Sequence, residues 1–217
     1  MHFGVSMFHT DYSIPAVQLA RALEARGFES MWAPEHSHIP VPRKTPFPGG
    51  GELPKPYYEV MDPFVVLSAA AVVTKTLKLA TGVCLVVQRD PIQTAKLVAS
   101  IDQVSNGRFL FGVGGAFPHA ARRAVRYGDG WVPIAGRAPY GDVNDYLPKF
   151  KEMVSEAGRD PAGLPITLFG GTEDVDLLKR YRDMGVARVV TTLPPEPADR
   201  TLPVLDRWGE LIRRVNA

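Results

Sequence analysis

Seven times along its 217 residues, this chain sets a short apolar run ahead of a stretch that repeats at helical spacing. The runs are HFGVSMF (2–8), SMWAP (30–34), LKLATGVCLV (77–86), RFLFGVG (108–114), DGWVPI (129–134), LPITLFGG (164–171) and ARVVTTL (187–193). They are continuously apolar rather than alternating, as strands buried on both faces require. Strict alternation with short connections predicts a parallel sheet covered by helices and joined by right-handed crossovers. Asp62-Pro63 and Asp90-Pro91 open two of the helices as N-cap and first position. The pattern leaves closed barrel and open sheet both standing.

Length and composition fit one α/β domain over residues 1–217, with 45% apolar and 22% charged residues. A net charge of +2 is too small for a nucleic-acid protein. The single cysteine, Cys84, leaves no internal disulfide and suits a reducing cytoplasm. The opening MHFGVSMFHTDYS has no basic region followed by a long apolar run, so no signal peptide is expected, and no apolar stretch has membrane-spanning length.

GRFLFGVGGAFPHAARRAV (107–125) holds a glycine cluster that can be read three ways. As a dinucleotide fingerprint it is poor: Phe117 stands where a third glycine belongs, and the stretch after DGWVPI is AGRAP, without the acidic residue that should follow. As structure alone, the glycines turn a strand into a helix. As a site, the amides of Gly114, Gly115 and Ala116 precede the helix beginning near Pro118, whose positive end favours a phosphate.

ALEARGFESMWAPEHSHIP, RKTPFPGGGELP, DPFVVLSAAA, LKLATGVCLVVQRDPIQTAKLVASID, SNGRFLFGVG and ARRAVRYGDGWVPI occur in an order that spans most of the chain. In these segments the chain resembles the luciferase-like monooxygenase superfamily, and within it the deazaflavin (coenzyme F420)-dependent oxidoreductases. The resemblance implies a TIM-type (β/α) barrel with its cofactor at the C-terminal ends of the strands. It also implies that a helix, a strand and an insertion are missing at about residues 114–117, leaving about seven strands. The non-fluorescent flavoprotein, a superfamily relative with a comparable loss, binds flavin without known turnover.

The resemblance assigns Glu35 and His36, in PEHSHIP after the second strand, to catalysis beside the reacting ring, with His38 nearby as a cofactor contact. An imidazole near neutrality suits the proton exchange that accompanies hydride transfer. It also implies a non-prolyl cis peptide between Gly82 and Val83 that backs the ring. Arg89, after the third strand, is expected at the cofactor's phosphate or carboxylates, and Gly114, Gly115 and Ala116 at its phosphate. Two histidines and Glu35 lack the spacing of a metal site, and none is expected. Arg122 and Arg123 are expected on the surface, and the proline-rich loop 35–60 as a lid.

These readings predict an oxidoreductase that uses F420, or FMN as the alternative, to move a hydride to or from a small organic substrate. The rival is a non-catalytic flavin or deazaflavin binder. A homodimer is expected through PFVVLSAAAVV and PIQTAKLVASI, with no nucleic-acid or membrane partner.

Overall fold

The computed structural model describes residues 1–217 apart from Pro42, Thr45, Pro48, Gly49 and residues 136–142. Parts of the expected lid and of the AGRAP stretch therefore lie outside the described residues.

In chain order the elements are β1 (His2–Met7), α1 (Ala16–Ala25), β2 (Ser30–Ala33), α2 (Pro56–Glu59), α3 (Pro63–Ala71), β3 (Lys78–Thr81), α4 (Pro91–Val104) and β4 (Phe109–Leu110). Then come α5 (His119–Tyr127), α6 (Val143–Glu156), β5 (Ile166–Phe169), α7 (Val175–Asp183), β6 (Val186–Leu193) and α8 (Ala198–Asn216). No helix among the described residues is long and apolar enough to cross a membrane.

Packing divides the chain into two compact units. One comprises Ser6–Val113 and Leu193–Leu205, and its strands run in the order β4-β3-β2-β1. Ser30 to Ala33 pair in parallel with Lys78 to Thr81, and Leu79 and Ala80 with Phe109 and Leu110. The other comprises Met1–Val5, Gly114–Thr192 and Asp206–Ala217, with the order β1-β6-β5. There β5 and β6 are parallel, with an irregularity between Ile166 and Thr167. β1 begins in the second unit and ends in the first.

The helix boundaries follow local chemistry. Asp62 accepts the N–H groups of Phe64 and Val65 at the start of α3, and Asp90 that of Gln93 at the start of α4. Pro follows each cap, where its missing N–H costs nothing. α1 stops at Gly27, whose φ of 78° lets Phe28 N–H return to the Leu23 carbonyl and Gly27 N–H to that of Glu24. That is the left-handed helix end that glycine adopts without steric penalty.

In the first unit Met7, Leu19, Leu23, Met31, Leu67 and Leu79 are fully buried, and in the second Val154, Leu168, Val189 and Val190. Each such side chain contributes roughly 1.5–3 kcal/mol through loss of water contact.

Six strands are formed among the described residues, one fewer than expected. DGWVPI is the difference. It touches β5 only through isolated bridges, Trp131 with Ile166 and Ile134 with Phe169. Pro133 stands between the two bridges and has no N–H to donate, so the ladder breaks there. Its carbonyl still accepts Phe169 N–H at 2.9 Å.

Candidate functional site

His36 lies three residues beyond β2, at the C-terminal ends of the parallel strands of the first unit. Two adjoining aromatic side chains pack against its imidazole. The ring of Phe8, just past β1, is nearly parallel to it at 6.2 Å and 21°. The ring of Tyr57, from α2, lies 4.7 Å away at 59°, and Phe8 and Tyr57 are themselves 4.6 Å apart. The loop between β2 and α3 thus returns across the histidine, with Phe47 against Tyr57 at 5.5 Å. Burial lowers the His36 pKa below 6.5, against the pull of the Glu35 charge. A half-buried imidazole in that state is mostly neutral at pH 7 and can accept a proton.

Glu35 faces inward instead. The residue is 2% exposed, and both carboxylate oxygens are engaged. Oε1 accepts the Nε–H of Arg89, and Oε2 accepts Leu85 N–H at 2.7 Å. Arg89 also donates from Nη2 to Asp62 Oδ2 at 2.6 Å and lies over the Phe64 ring at 4.8 Å. Burial opposes the charged guanidinium, but Asp62 and Glu35 outweigh it and raise its pKa. Glu35, assigned by resemblance to acid–base work, and Arg89, expected at the cofactor's anionic groups from its place after the third strand, therefore hold each other.

The Gly82–Val83 peptide is cis, and Gly82 N–H donates to Ala33 O at 2.8 Å, next to the end of β2. Cys84 follows, buried, its thiol pushed up to about 12 by burial and then by the Glu35 charge, so it is no nucleophile. His38 is exposed, with Nδ1 3.0 Å from Ser37 Oγ, and Ser37 donates on to Gln88. Glu35, His36, His38, Gly82, Val83 and Arg89 all belong to the first unit.

Gly114, Gly115 and Ala116 belong to the second unit. The Gly114 carbonyl accepts Arg123 Nη2 at 2.9 Å, and Ala116 O accepts Ala120 N–H at 2.9 Å. Arg123, expected on the surface, is half-buried and folded back over the turn. A Cβ at Gly115 would strike its guanidinium, and with φ at 145° that position suits glycine alone. Phe117, after which the chain enters a cis proline, stacks on Tyr146 at 4.5 Å, and Trp131 packs on Phe150 at 4.6 Å.

Three participants escape sequence reasoning. Phe8 and Tyr57 look like ordinary core and loop aromatics until the fold seats them on His36. His9 is 2% exposed, and neither ring nitrogen has a hydrogen-bond partner among the described residues. Burial lowers its pKa to about 4. The residue type alone gave no signal, since a lone histidine past a strand is equally at home in water.

Parallel strands with helical crossovers, and a histidine-bearing loop at the strand ends, define an α/β framework of the barrel type. The family model for luciferase-like monooxygenases matches residues 9–119, just over half the chain. The chain belongs to that family. It is 29% identical to an uncharacterised protein of Mycobacterium tuberculosis (strain H37Rv) over 275 aligned positions, covering 95% of this chain and 97% of the relative. Among solved structures it is similar to the monooxygenase RslO1 of Streptomyces bottropensis, with a TM-score of 0.74, 16% identity and full coverage of both chains. It is also similar to the coenzyme F420 dependent tetrahydromethanopterin reductase of Methanopyrus kandleri, with a TM-score of 0.66 and 14% identity over 96% of this chain and 97% of that one. At these identities the likeness concerns the fold.

Proposed function

We propose that this chain is a cytoplasmic oxidoreductase that moves a hydride between coenzyme F420, with FMN as the alternative, and a small organic molecule. The observation that carries this reading is His36, a half-buried imidazole kept neutral by burial and packed against the adjoining rings of Phe8 and Tyr57. The residues present fit a planar ring. Gly82 brings no side chain beside Ala33, and His36 keeps part of its surface open. His36, Gly82 and Val83 would hold the ring, and the bound cofactor would supply hydride chemistry at C5 or N5.

His36 takes or returns the proton that balances charge as hydride moves, at the ring nitrogen facing the substrate. Phe8 and Tyr57 orient the imidazole and shield one side of it from water. Glu35, with both oxygens engaged, fixes the backbone that carries His36 rather than exchanging protons itself. His38, exposed beside Ser37, would contact a cofactor tail.

The test is a titration of the protein with F420 and FMN, followed by single turnovers of the reduced cofactor with enones, quinones and aldehydes. Replacing His36→Ala should weaken cofactor binding and, at saturating cofactor, slow turnover about 10²–10⁴-fold, as loss of a positioned acid–base group does. If neither cofactor binds, the reading fails. If cofactor binds and is never oxidised, the chain is the non-catalytic binder instead. The locked state of Glu35 and Arg89 favours that second reading.

Two further expectations belong to the proposal. The tuberculosis relative aligns over 275 positions to a chain of 217, in keeping with a segment missing from this chain, which we place at about residues 114–117. Val65 and Val72 on and just after α3, and Ile92, Leu97 and Val104 on α4, are exposed. Each helix spaces two of these seven residues apart, on one face, which supports a homodimer formed through α3 and α4.

A further inference from the structure

We propose that Asp62 and Arg89 are positioning residues for the Glu35–His36 segment, a role that rests on His36 being the proton-handling group. Asp62 acts in two directions at once. Its Oδ1 accepts the N–H groups of Phe64 at 2.8 Å and Val65 at 3.2 Å, which fixes the carboxylate to the first turn of α3. Its Oδ2 accepts Arg89 Nη2 at 2.6 Å. The guanidinium lies over Phe64 from that same turn, at 4.8 Å, and its Nε–H donates to Glu35 Oε1. Glu35 Oε2 closes the chain of contacts on Leu85 N–H.

The result is a continuous link from the start of α3, through one planar group, to the residue before His36. The Glu35 side chain is 1% exposed and that of Arg89 14%. At such burial an unpartnered Glu35 carboxylate would be strongly unfavourable, so the pair is held whenever this region is folded. The guanidinium has donors at fixed angles and spans two carboxylates at a set separation; an ammonium on a flexible stem cannot do that. Leu85 adds a second anchor from the segment after β3. Both Glu35 oxygens are thus tied to separate segments, and the backbone at His36 inherits that restriction. Asp62 carries two duties, and only the capping duty is visible in its Asp-Pro sequence.

The decisive variants are Asp62→Asn and Arg89→Lys. Asparagine caps helices as well as aspartate does, so Asp62→Asn keeps α3 while removing the charge that holds Nη2. Arg89→Lys keeps the charge and removes the fork. Asp62→Ala loses both duties and serves as the folding comparison, with a lower melting temperature.

The first readout is the imidazole NMR signal of His36 in the cofactor-free protein, followed across pH. Among the described residues, the Glu35 charge acts on that ring and Tyr57 packs against it at 4.7 Å. Both variants should move the His36 chemical shift and its titration midpoint, with melting temperatures close to wild type for Asp62→Asn. The second readout is steady-state kinetics with F420 and an accepted substrate. Here kcat should fall on the order of tenfold to a hundredfold, as misplacement of a reacting group does, while the KM for cofactor changes little.

Unchanged His36 signals in both variants would overturn the inference. So would full recovery of kcat in Arg89→Lys, since charge alone would then suffice. If the wild-type protein turns over neither F420 nor FMN, the proposed function fails, and the NMR readout still decides the positioning role.

Discussion

Thr76 gives Glu24 two hydrogen bonds, one from its backbone N–H at 2.6 Å and one from its hydroxyl at 2.9 Å, across 52 positions of sequence. The amides of Lys75 and Leu77 add one each at 2.9 Å. Glu24, near the end of α1, therefore ties that helix to the turn that leads into β3. Burial raises the Glu24 pKa, but the amides of Thr76, Leu77 and Lys75 outweigh it and bring the carboxyl down to about 2.

A carboxylate whose pKa falls on folding contributes stability above its unfolded value, and that contribution disappears as pH drops through the folded one. For Glu24 the window runs from 4.5 down to about 2. The group is partly exposed, so solvent screening reduces the effect to about 1–2 kcal/mol. Glu24→Gln should lower stability by that amount at pH 7, read from urea midpoints, and should flatten the loss below pH 4.5. Equal midpoints at pH 7 would remove Glu24 from the account.

His9 acts in a higher window. Its imidazole is neutral when folded and takes a proton more readily when unfolded, so the unfolded state binds more protons between pH 6.5 and about 4. Stability should fall through that interval as pH drops, by about 3 kcal/mol in all. His9→Phe should make this slope much shallower, leaving only the smaller part that His36 contributes. Melting temperatures measured across the interval for both proteins check it, and parallel curves would refute it.

Arg108 closes the C-terminal end of α3. It donates to the carbonyls of Ala71 at 2.8 Å, Leu77 at 2.6 Å and Ser105 at 2.7 Å, and to Thr74 Oγ1 at 3.0 Å. Removing the guanidinium strands several of these acceptors away from water. Arg108→Met should therefore cost about 3 kcal/mol, with the m-value unchanged. A cost below about 1 kcal/mol would mean that water replaces the arginine.

If the chain pairs through α3 and α4, a charge on either helix should separate the copies. Val65→Asp and Ile92→Asp leave the core untouched, since both positions are largely exposed at 68% and 81%. Sedimentation should then show a dimer for the wild type and a monomer for each variant, with melting behaviour little changed at high protein concentration. A dimer that survives both substitutions would place its interface elsewhere.

Most of the element order was legible because helix starts are written in single residues. Asp62 and Asp90 each cap a helix ahead of proline, and Gly27 ends one. Continuous apolar runs located the six strands, but Pro133 inside DGWVPI marked an interruption that apolarity hid. Around the site, the resemblance led to His36 and to the cis peptide at Gly82–Val83. It could not foretell that Glu35 turns inward, because that depends on Arg89 arriving from 54 residues away. Phe8, Tyr57 and His9 stayed hidden for the same reason: their surroundings come from distant segments, and burial is a property of the folded chain.

The mutual hold of Arg89 and Glu35 has one consequence for any guest with an acidic tail. Such a molecule reaches the guanidinium only by exchange with a carboxylate the protein already supplies at full local strength. An acidic ligand would thus meet a tethered competitor and gain only the difference between two similar contacts. Neutral guests face no such rivalry, so the region at the ends of β2 and β3 is biased toward uncharged rings and carbonyls.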